Sequence, residues 1–349
     1  MENKFKFNIT IKEEKSLKSI EIEEPLKLFE QNYIAIEKKD IIIYNFNLKK
    51  LISTLKFQSQ QIASIQICKM PFLINNSSIQ SNNIFFVLSS SWDKKFAVHK
   101  IIYKDNFFQF ELVTENKPTK GEINGAIQIE NGQFIICTRD QHIILFSRHF
   151  KKLYEIKKDW PMEAKRPFEI KKNIIGVYWD FDEAEYDGTD SDEEVYDQHH
   201  SHDGLYIYEV KNNEMKEIKF IPKMTSSFHS LIYHKNNLIM KYNQKYNEKI
   251  STLDLTNLKF INNLYFTKDN SINWDIAPYN NKYFIVIIFG KNKSVKFKIY
   301  ENRTFKIIYE SETFQNAITT DGFYFKKLYK LDNNKYLFHN LIINIEPHK

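Results

Sequence analysis

The segment from Val87 to Lys100 reads VLSSSWDKKFAVHK, and it decides the fold class of the chain. An apolar run, three serines, a tight turn with Asp93 and a second alternating run follow one another. This order is typical of two antiparallel strands joined by a short turn. A second copy, Phe134 to Ser147, reads FIICTRDQHIILFS and places Asp140 at the corresponding turn. The spacing of the copies is close to the roughly 40 to 45 residues of a four-stranded repeat unit, so it indicates an internal repeat.

Both segments resemble the WD repeat of β-propeller proteins. In that family an aspartate occupies the turn and a tryptophan ends the following strand. Here Asp93 and Asp140 hold the structural turn position, whereas His99 and Phe146 stand where the tryptophan belongs. The chain contains no Gly-His dipeptide, which the family commonly carries. The resemblance therefore implies a divergent WD-repeat protein that keeps the turn aspartates and lacks the rest of the family's hydrogen-bond network.

The pattern of strands and turns extends over the whole chain, and no segment keeps a helical period. Many strands are apolar on both faces, which is typical of sheets covered on both sides. We predict an all-β fold, a seven-bladed, WD-repeat-like β-propeller whose last blade is closed by strands from both termini. A β-sandwich followed by a second domain is the alternative. The single predicted propeller, 1–349, has blades at residues 24–57, 61–115, 122–157, 166–220, 226–267, 272–311, and 316–349 with 3–23.

The composition supports a large core, because 42% of the residues are hydrophobic and 15% are aromatic. Glycine is scarce, with 8 residues, so we expect Asn to take the turn positions that need a positive φ. Turns are accordingly predicted at the Asn-Asn pairs that begin at Asn75, Asn82, Asn212, Asn236, Asn262, Asn280 and Asn333.

Cysteine usage and apolar run lengths bear on the compartment. The 2 cysteines, Cys68 and Cys137, fall in predicted strands, which favours a reducing environment over a disulfide-stabilised secreted domain. The longest apolar run, Tyr283 to Phe289, is far short of the roughly 18 residues that a membrane span needs. The first residues have no apolar signal-peptide core. We therefore expect an intracellular protein, cytoplasmic or nuclear, without a membrane span.

One segment, Asp180 to Asp203, carries eleven of the 44 acidic residues and no Lys or Arg. The remaining 33 acidic residues face 50 basic ones, so the rest of the chain has a formal charge of about +17. We predict an acidic insertion loop, 182–202, in the fourth blade of a basic propeller. Within it, Thr189 and Ser191 precede acidic residues and are candidate phosphorylation positions. A solvated insertion without a specific role is the alternative.

Two patterns in this acidic segment resemble metal sites. Glu183 to Glu194 imitates the ligand spacing of a calcium loop, but Glu stands at position 1, Asp190 occupies an apolar position and strands flank the segment. His199, His200 and His202 are candidate transition-metal ligands, but a flexible loop does not preorganise them. We predict no metal site and no cofactor.

The family resemblance implies that connections between blades and the turns in the middle of each blade form the interaction face. We expect Trp179 and Trp274 in the core, because they touch strand patterns. The candidate partner-binding residues are charged or aromatic side chains of the connections and of the insertion: Trp160, Lys165, Arg166, Lys117, Lys120, Asp190, Asp192, Glu193 and Glu194.

Motifs for catalysis are missing from the sequence. It has no phosphate-binding Gly-rich loop, no His-Glu-x-x-His and no Gly-x-Ser-x-Gly, and the serines 89–91 are interpreted as a strand end. We predict a non-enzymatic scaffold of an intracellular multiprotein complex, with protein partners at the top face and the acidic arm. The alternative is a binder of basic proteins or nucleic acid, such as a histone-handling or ribosome-assembly factor. A propeller hydrolase is the third hypothesis, and its signature would be carboxylates or histidines along a central channel.

Overall fold

The computed structural model describes the chain except for residues 1–6, 14–22, 57–59, 70–82, 159–161, 182–201, 223–230, 235, 245–246, 266–272, 291–293, 316–327, 339–340 and 348–349. In the described part the named elements are all β-strands, and they form seven antiparallel sheets. This arrangement is the seven-bladed β-propeller class, so the predicted fold class is confirmed.

The strands are β1 (Phe7–Glu13), β2 (Glu23–Phe29), β3 (Asn32–Glu37), β4 (Asp40–Asn45), β5 (Lys50–Lys56), β6 (Ile62–Cys68), β7 (Ile84–Ser91), β8 (Lys95–Lys104), β9 (Phe107–Asn116), β10 (Ile123–Gln128), β11 (Phe134–Thr138), β12 (His142–Phe146), β13 (Lys152–Lys157), β14 (Met162–Ala164), β15 (Phe168–Lys171), β16 (Ile174–Phe181), β17 (Gly204–Lys211), β18 (Glu214–Pro222), β19 (Leu231–His234), β20 (Asn237–Gln244), β21 (Asn247–Asp254), β22 (Lys259–Tyr265), β23 (Asn273–Pro278), β24 (Tyr283–Gly290), β25 (Ser294–Glu301), β26 (Ile307–Glu310), β27 (Leu328–Asp332), β28 (Lys335–Phe338) and β29 (Leu341–Pro347).

The chain divides into two compact units. The middle unit, residues 22–226, holds four sheets in chain order: the first (β2–β5), second (β6–β9), third (β10–β13) and fourth (β14–β18). The terminal unit, residues 1–21 with 227–349, holds the fifth sheet (β19–β22), the sixth (β23–β26) and the seventh (β27–β29 with β1). Within most sheets each strand pairs with the next one in sequence, so the contacts of a sheet are local.

The seventh sheet contains strands from both ends of the chain. Its order is β1-β29-β28-β27, and β1 pairs antiparallel with β29 from Phe7 opposite Pro347 to Glu13 opposite Leu341. The pairing gives the backbone groups of β29 a partner on the side that would otherwise be an open sheet edge. The predicted closure of this blade by both termini is confirmed.

Strands in the middle of the sheets are buried on both faces. Successive side chains of such a strand point to opposite faces, so they contact the two neighbouring sheets in turn. In β11, Phe134 and Ile136 pack with residues of the second sheet, whereas Ile135 and Cys137 pack with residues of the fourth. All five residues of β11 are buried. Because successive side chains of a strand point to opposite faces and both faces are covered, the residues from Phe134 to Cys137 are all apolar.

The sixth sheet repeats this division within the terminal unit. Phe284 and Val286 of β24 pack with residues of the fifth sheet, and Ile285 and Ile287 pack with residues of the seventh. The continuous apolar run in β24 therefore has the same cause as the one in β11.

Two glutamines join the first strands of the second and third sheets. Gln66 of β6 accepts a hydrogen bond from the backbone N–H of Gln128 at 2.5 Å and donates one to the Gln128 carbonyl oxygen at 3.2 Å. Gln128 in turn accepts from the backbone N–H of Lys69 at 2.7 Å and donates to the Lys69 carbonyl oxygen at 2.9 Å. β6 and β10 are not ladder partners, so side-chain amides satisfy the facing backbone groups.

The serine run at the end of β7 is structural. Ser89, Ser90 and Ser91 are buried, and the Ser90 hydroxyl lies 2.7 Å from the hydroxyl of Ser64 on β6. Ser64 also accepts a hydrogen bond from the backbone N–H of Ala126 in the third sheet, at 3.1 Å. The interpretation of this run as a strand end is confirmed.

The prediction that Asn occupies the turns is only partly correct. Asn212 and Asn213 have φ values of 53° and 66°, as a tight hairpin turn requires. Asn262, however, lies inside β22, where it pairs with Thr252 of β21, so the turn predicted there is wrong. Other positive-φ turn positions hold charged residues, such as Lys94 with a φ of 73°.

The two tryptophans that were assigned to the core are buried. Trp179 on β16 has no exposed surface, and its indole N–H donates to the Tyr208 hydroxyl oxygen at 2.9 Å. Trp274 on β23 is 4% exposed and lies under the ammonium group of Lys241, 4.3 Å from its ring centroid. Core packing is therefore confirmed for both.

His99 stands on β8 at the position where the family resemblance places a tryptophan. It is 2% exposed. Burial lowers the pKa of His99 to about 4, and the weaker effect of the Glu115 charge acts in the opposite direction. The imidazole is therefore neutral in the folded protein at neutral pH.

This burial predicts a pH-dependent loss of stability. The unfolded imidazole takes up a proton below about pH 6.5, whereas the folded one stays neutral until about pH 4. The free energy of unfolding should fall by up to about 1.4 kcal/mol per pH unit across this window because of His99, about 3 kcal/mol in total. Urea unfolding between these pH values measures the slope, and His99→Gln should remove that component.

The matched control for this slope is His149→Gln, because His149 is exposed. NMR titration of the His99 imidazole in the unsubstituted protein provides a second measurement. Equal slopes for His99→Gln and the unsubstituted protein, with an imidazole that titrates near pH 6.5, would contradict the assignment.

Candidate partner-binding site

A groove of about 440 Å³ lies at one edge of the third sheet. The connection from β9 to β10, the turn from β11 to β12 and the end of β13 meet there. We call it the third-blade groove, and its lining residues are Pro118, Thr119, Lys120, Asp140, Gln141, His142, Glu155 and Lys157.

The Asp140 side chain forms hydrogen bonds that join the turn between β11 and β12 to the connection between β9 and β10. Its Oδ1 accepts a hydrogen bond from the Thr119 hydroxyl at 3.1 Å, and its Oδ2 accepts one from the backbone N–H of Gly121 at 2.7 Å. The Thr119 hydroxyl oxygen also accepts from the Gly121 N–H, at 3.2 Å. A carboxylate that accepts from two sides holds both segments in one geometry, so the floor of the groove is rigid.

Gly121 permits the close approach of the Asp140 side chain. A Cβ atom at position 121 would lie 2.2 Å from Cγ of Asp140. No side chain can occupy that space while the carboxylate stays in place. The hydrogen bond from Gly121 to Asp140 therefore requires glycine at this position.

His142 and Glu155 form the opposite wall. The His142 Nδ1 lies 2.8 Å from a Glu155 carboxylate oxygen, and the other oxygen lies 2.7 Å from Nζ of Lys152. Partial burial raises the pKa of Glu155, but the hydrogen bond and charge of Lys152, with His142, lower it overall. Thr138 fixes the start of β12, because its hydroxyl oxygen accepts from the His142 backbone N–H at 3.2 Å.

Exposed lysines surround the groove. Lys120 and Lys157 line it, and Lys117 begins the same connection. The next residue, Lys158, makes a cation–π contact and an ion pair. Its Nζ lies 4.3 Å from the Tyr206 ring centroid and 3.7 Å from a Glu217 carboxylate oxygen. The cationic surface of the groove therefore comes from Lys117, Lys120 and Lys157.

The structure places two predicted partner-binding residues elsewhere than expected. Lys165 and Arg166 were assigned to the connection before the fourth sheet, but they lie between β14 and β15, beyond the start of that sheet. Lys165 forms an ion pair with Glu163 and lies 4.0 Å from Asp180. The position was wrong because Met162–Ala164 is long enough to pair with β16 and too short for a sequence pattern to show.

Arg166 forms an ion pair with Glu24, which stands on the first strand of the first sheet. This pair connects the first and fourth sheets of the middle unit. Glu24 has a φ of 50°, a backbone conformation that a non-glycine residue rarely adopts. The contact gives Arg166 a structural partner, and its role toward other proteins stays a prediction.

Other predicted residues lie outside the described part of the chain: Trp160, Thr189, Asp190, Ser191, Asp192, Glu193, Glu194, His199 and His200. The calcium-like segment from Glu183 to Glu194 lies outside it too. On its two sides β16 ends at Phe181 and β17 begins at Gly204. Within the described ranges, no group of three or more His, Cys, Asp or Glu side chains is placed to hold a metal ion.

Lys117, Lys120 and Asp140 are recognisable in the sequence as candidate residues, whereas Thr119, Gly121, His142 and Glu155 are not. The structure brings Lys120 and Asp140 to the same groove. Of these four residues only Gly121 is conspicuous in the sequence, because glycine occurs only 8 times in the chain. The pairing of His142 with Glu155 depends on the register of β12 and β13, which no local pattern reveals.

Comparison with known proteins supports the β-propeller fold but no particular function. No family model matches the chain, and no curated protein matches it. Among solved structures, Raptor from Chaetomium thermophilum superposes with a TM-score of 0.60 at 11% identity, over 92% of this chain and 28% of that one. The computationally designed Ika8 protein gives a TM-score of 0.52 at 9% identity, over 94% of this chain and 96% of its own. The chain spans 28% of the length of the Raptor chain.

The described residues include no helix long and apolar enough to span a membrane.

The close approach at Gly121 generates a stability prediction. Gly121→Ala should lower the free energy of unfolding by about 1 to 3 kcal/mol, because the new methyl group displaces the Asp140 carboxylate. When Asp140→Ala is also present, the new methyl group has no carboxylate to displace. The double variant should therefore be less destabilised than the sum of the two single variants. Urea denaturation of the four proteins measures the coupling.

Gly290→Ala is the control, because its Cβ would meet the rotatable Ser294 hydroxyl first. Additive effects of the 121 and 140 substitutions, or an unchanged stability for Gly121→Ala, would contradict the geometry described for the turn.

Proposed function

We propose that this chain is a divergent WD-repeat β-propeller that acts as a non-enzymatic interaction scaffold, a subunit of an intracellular multiprotein complex. The proposal treats residues 1–349 as one propeller domain. β-Propellers commonly serve as protein-interaction scaffolds. The observation that carries the proposal is the third-blade groove, in which a rigid turn is surrounded by exposed lysines.

Membership of the WD-repeat family is supported by the turn of the third sheet. Asp140 occupies the position that the family reserves for its turn aspartate, and its carboxylate accepts hydrogen bonds from Thr119 and Gly121 in the preceding connection. Asp93 holds the equivalent turn of the second sheet, between β7 and β8. The residue after each aspartate has a similar positive φ, 73° at Lys94 and 75° at Gln141, which supports a shared turn architecture in two neighbouring blades.

The groove has properties that suit docking of a protein segment. Its floor is held by hydrogen bonds before any partner arrives, so little ordering free energy is lost on binding. Its two acidic residues, Asp140 and Glu155, are already engaged. The charge that remains for a partner comes from Lys117, Lys120 and Lys157, which favours an acidic segment.

The same contacts argue against an acid–base site in the groove. Both Asp140 oxygens accept hydrogen bonds, and Glu155 has a lowered pKa because of Lys152 and His142. A general acid at neutral pH needs a raised pKa. The pKa of Glu155 is lowered instead, so Glu155 is unsuited to that role. Neither carboxylate of the groove is therefore suited to act as a general acid.

Reversing the lysine charges should release the partners. In affinity purification of the tagged full chain at moderate salt, Lys117→Glu/Lys120→Glu/Lys157→Glu should retain about tenfold less of the stoichiometric co-eluting proteins, because like charges then face the acidic segment. Quantitative mass spectrometry of the eluates measures the ratio.

The control variant carries the same change in net charge at three exposed lysines on other sheets: Lys39→Glu/Lys104→Glu/Lys259→Glu. It should retain the partners. Equal losses in both variants, or undiminished retention by the groove variant, would rule out the third-blade groove as the docking site.

A second candidate function is favoured by the charge distribution of the sequence. The acidic insertion, 182–202, with Asp190, Asp192, Glu193 and Glu194, would bind basic proteins or compete with nucleic acid for the basic remainder of the chain. Phosphorylation of Thr189 or Ser191 would strengthen that negative charge. Trp160, Lys165 and Arg166 stay predicted contacts for a peptide or nucleic-acid partner.

Deletion of residues 182–202 separates the two functions. The scaffold proposal predicts that the deleted protein keeps its stoichiometric partners in the same purification. Loss of those partners, with the groove lysines intact, would establish the acidic insertion as the binding element instead.

A further inference from the structure

A second groove, of about 510 Å³, lies at the opposite ends of the strands of the third and fourth sheets. The turns β10–β11, β12–β13, β15–β16 and β17–β18 form it, whereas the third-blade groove lies at the other ends of β11, β12 and β13. Half of its lining residues are side-chain amides, and we call it the amide groove after them: Asn131, Gln133, Asn173, Asn212 and Asn213.

The amides are held in a continuous chain across both sheets. Asn131 Nδ2 donates to Gln133 Oε1 at 2.7 Å and to Asn173 Oδ1 at 2.9 Å. Gln133 Nε2 then donates to Asn213 Oδ1 at 3.0 Å. These bonds join residues 42 and 80 positions apart in sequence, so they position side chains from separate turns. Asn131 uses both of its amide hydrogens in these bonds, whereas Gln133, Asn173 and Asn213 keep N–H groups that can donate to a ligand.

The backbone beneath this chain is fixed as well. The Glu169 carboxylate accepts from the backbone N–H groups of Glu130, at 2.9 Å, and Asn173, at 3.2 Å. Gly132, Asn173, Asn212 and Asn213 all have positive φ values, between 53° and 89°, as tight hairpin turns require. The groove is therefore preformed rather than assembled by a ligand.

The rim of the amide groove is cationic. The four turns, 130–133, 147–151, 171–173 and 211–214, together contain five Lys or Arg residues and two Glu residues. Arg148 and Lys211 line the groove and are exposed. An uncharged, hydrogen-bonding floor with a positive rim complements an extended chain whose side chains are negative.

We propose that the amide groove binds an acidic peptide segment of a partner protein, as a second docking site independent of the third-blade groove. The side-chain amides bond the N–H and C=O groups of the segment's main chain, because an amide offers both a donor and an acceptor. Arg148 and Lys211 bind its carboxylates. Among the described lining residues His149 is the only aromatic ring, too few to stack successive bases, so a peptide fits the groove better than a single-stranded nucleic acid.

The test uses the full chain and a fluorescein-labelled peptide of about twelve residues in which Glu alternates with Ser. Fluorescence anisotropy should show binding that weakens with salt, and the same peptide with Gln for Glu should bind about tenfold more weakly or not at all. Arg148→Glu/Lys211→Glu should weaken binding at least about tenfold.

A second variant, Gln133→Leu, breaks the amide chain and keeps every charge. It should weaken binding by about threefold or more, because main-chain bonds are lost. Lys39→Glu/Lys259→Glu changes the net charge as much as the first variant does, and Lys117→Glu/Lys120→Glu/Lys157→Glu alters the third-blade groove. Both should leave peptide binding within about twofold of the unsubstituted protein. Thermal unfolding confirms that each variant is folded.

Absence of binding by the unsubstituted protein at millimolar peptide, or equal binding by Arg148→Glu/Lys211→Glu, would overturn the proposal. So would displacement of the peptide by a single-stranded oligonucleotide that depends more strongly on the same two residues. If only the Lys117→Glu/Lys120→Glu/Lys157→Glu variant lost peptide binding, the peptide would bind in the third-blade groove instead. The proposed scaffold function would still hold in that case.

Discussion

The structure depends on strands that bury both of their faces. A β-strand with one buried face alternates apolar and polar residues, but β11 and β24 have apolar residues on each side because a sheet packs against each face. Full burial of a Leu, Ile or Phe side chain is worth about 1.5 to 3 kcal/mol. A sheet that lost one neighbour would expose half of these side chains, so consecutive sheets stabilise one another within each unit.

Apolar burial alone does not fix how the sheets are aligned, and polar side chains supply that specificity. Gln66 and Gln128 satisfy backbone groups across two sheets, and Asp140 ties a turn to the connection before it. A buried backbone group left unbonded costs about 1 to 3 kcal/mol, so each contact selects one alignment over its neighbours. The Asp140 bonds make the third-blade groove rigid, and the bonds between side-chain amides do the same for the amide groove.

The fold class could be predicted because its determinants are local. Asp93 and Asp140 mark turns between apolar runs, and the repeat of this pattern identifies the blades. Lys165 and Arg166 were misplaced because β14 has three residues, too few to show a period. The third-blade groove was only partly predicted: exposed lysines on a connection are visible in the sequence, whereas the Gly121 contact with Asp140 exists only after the chain has folded.

The proposed function requires that the third-blade groove contacts a protein partner in the cell. Incorporation of a photo-crosslinking amino acid at position 120, followed by irradiation of intact cells and mass spectrometry, tests it most directly. We expect a defined crosslinked protein at position 120 and none of it at position 39, which is exposed on the first sheet. The same crosslinks at both positions, or none at position 120 while the partners still co-purify, would contradict it.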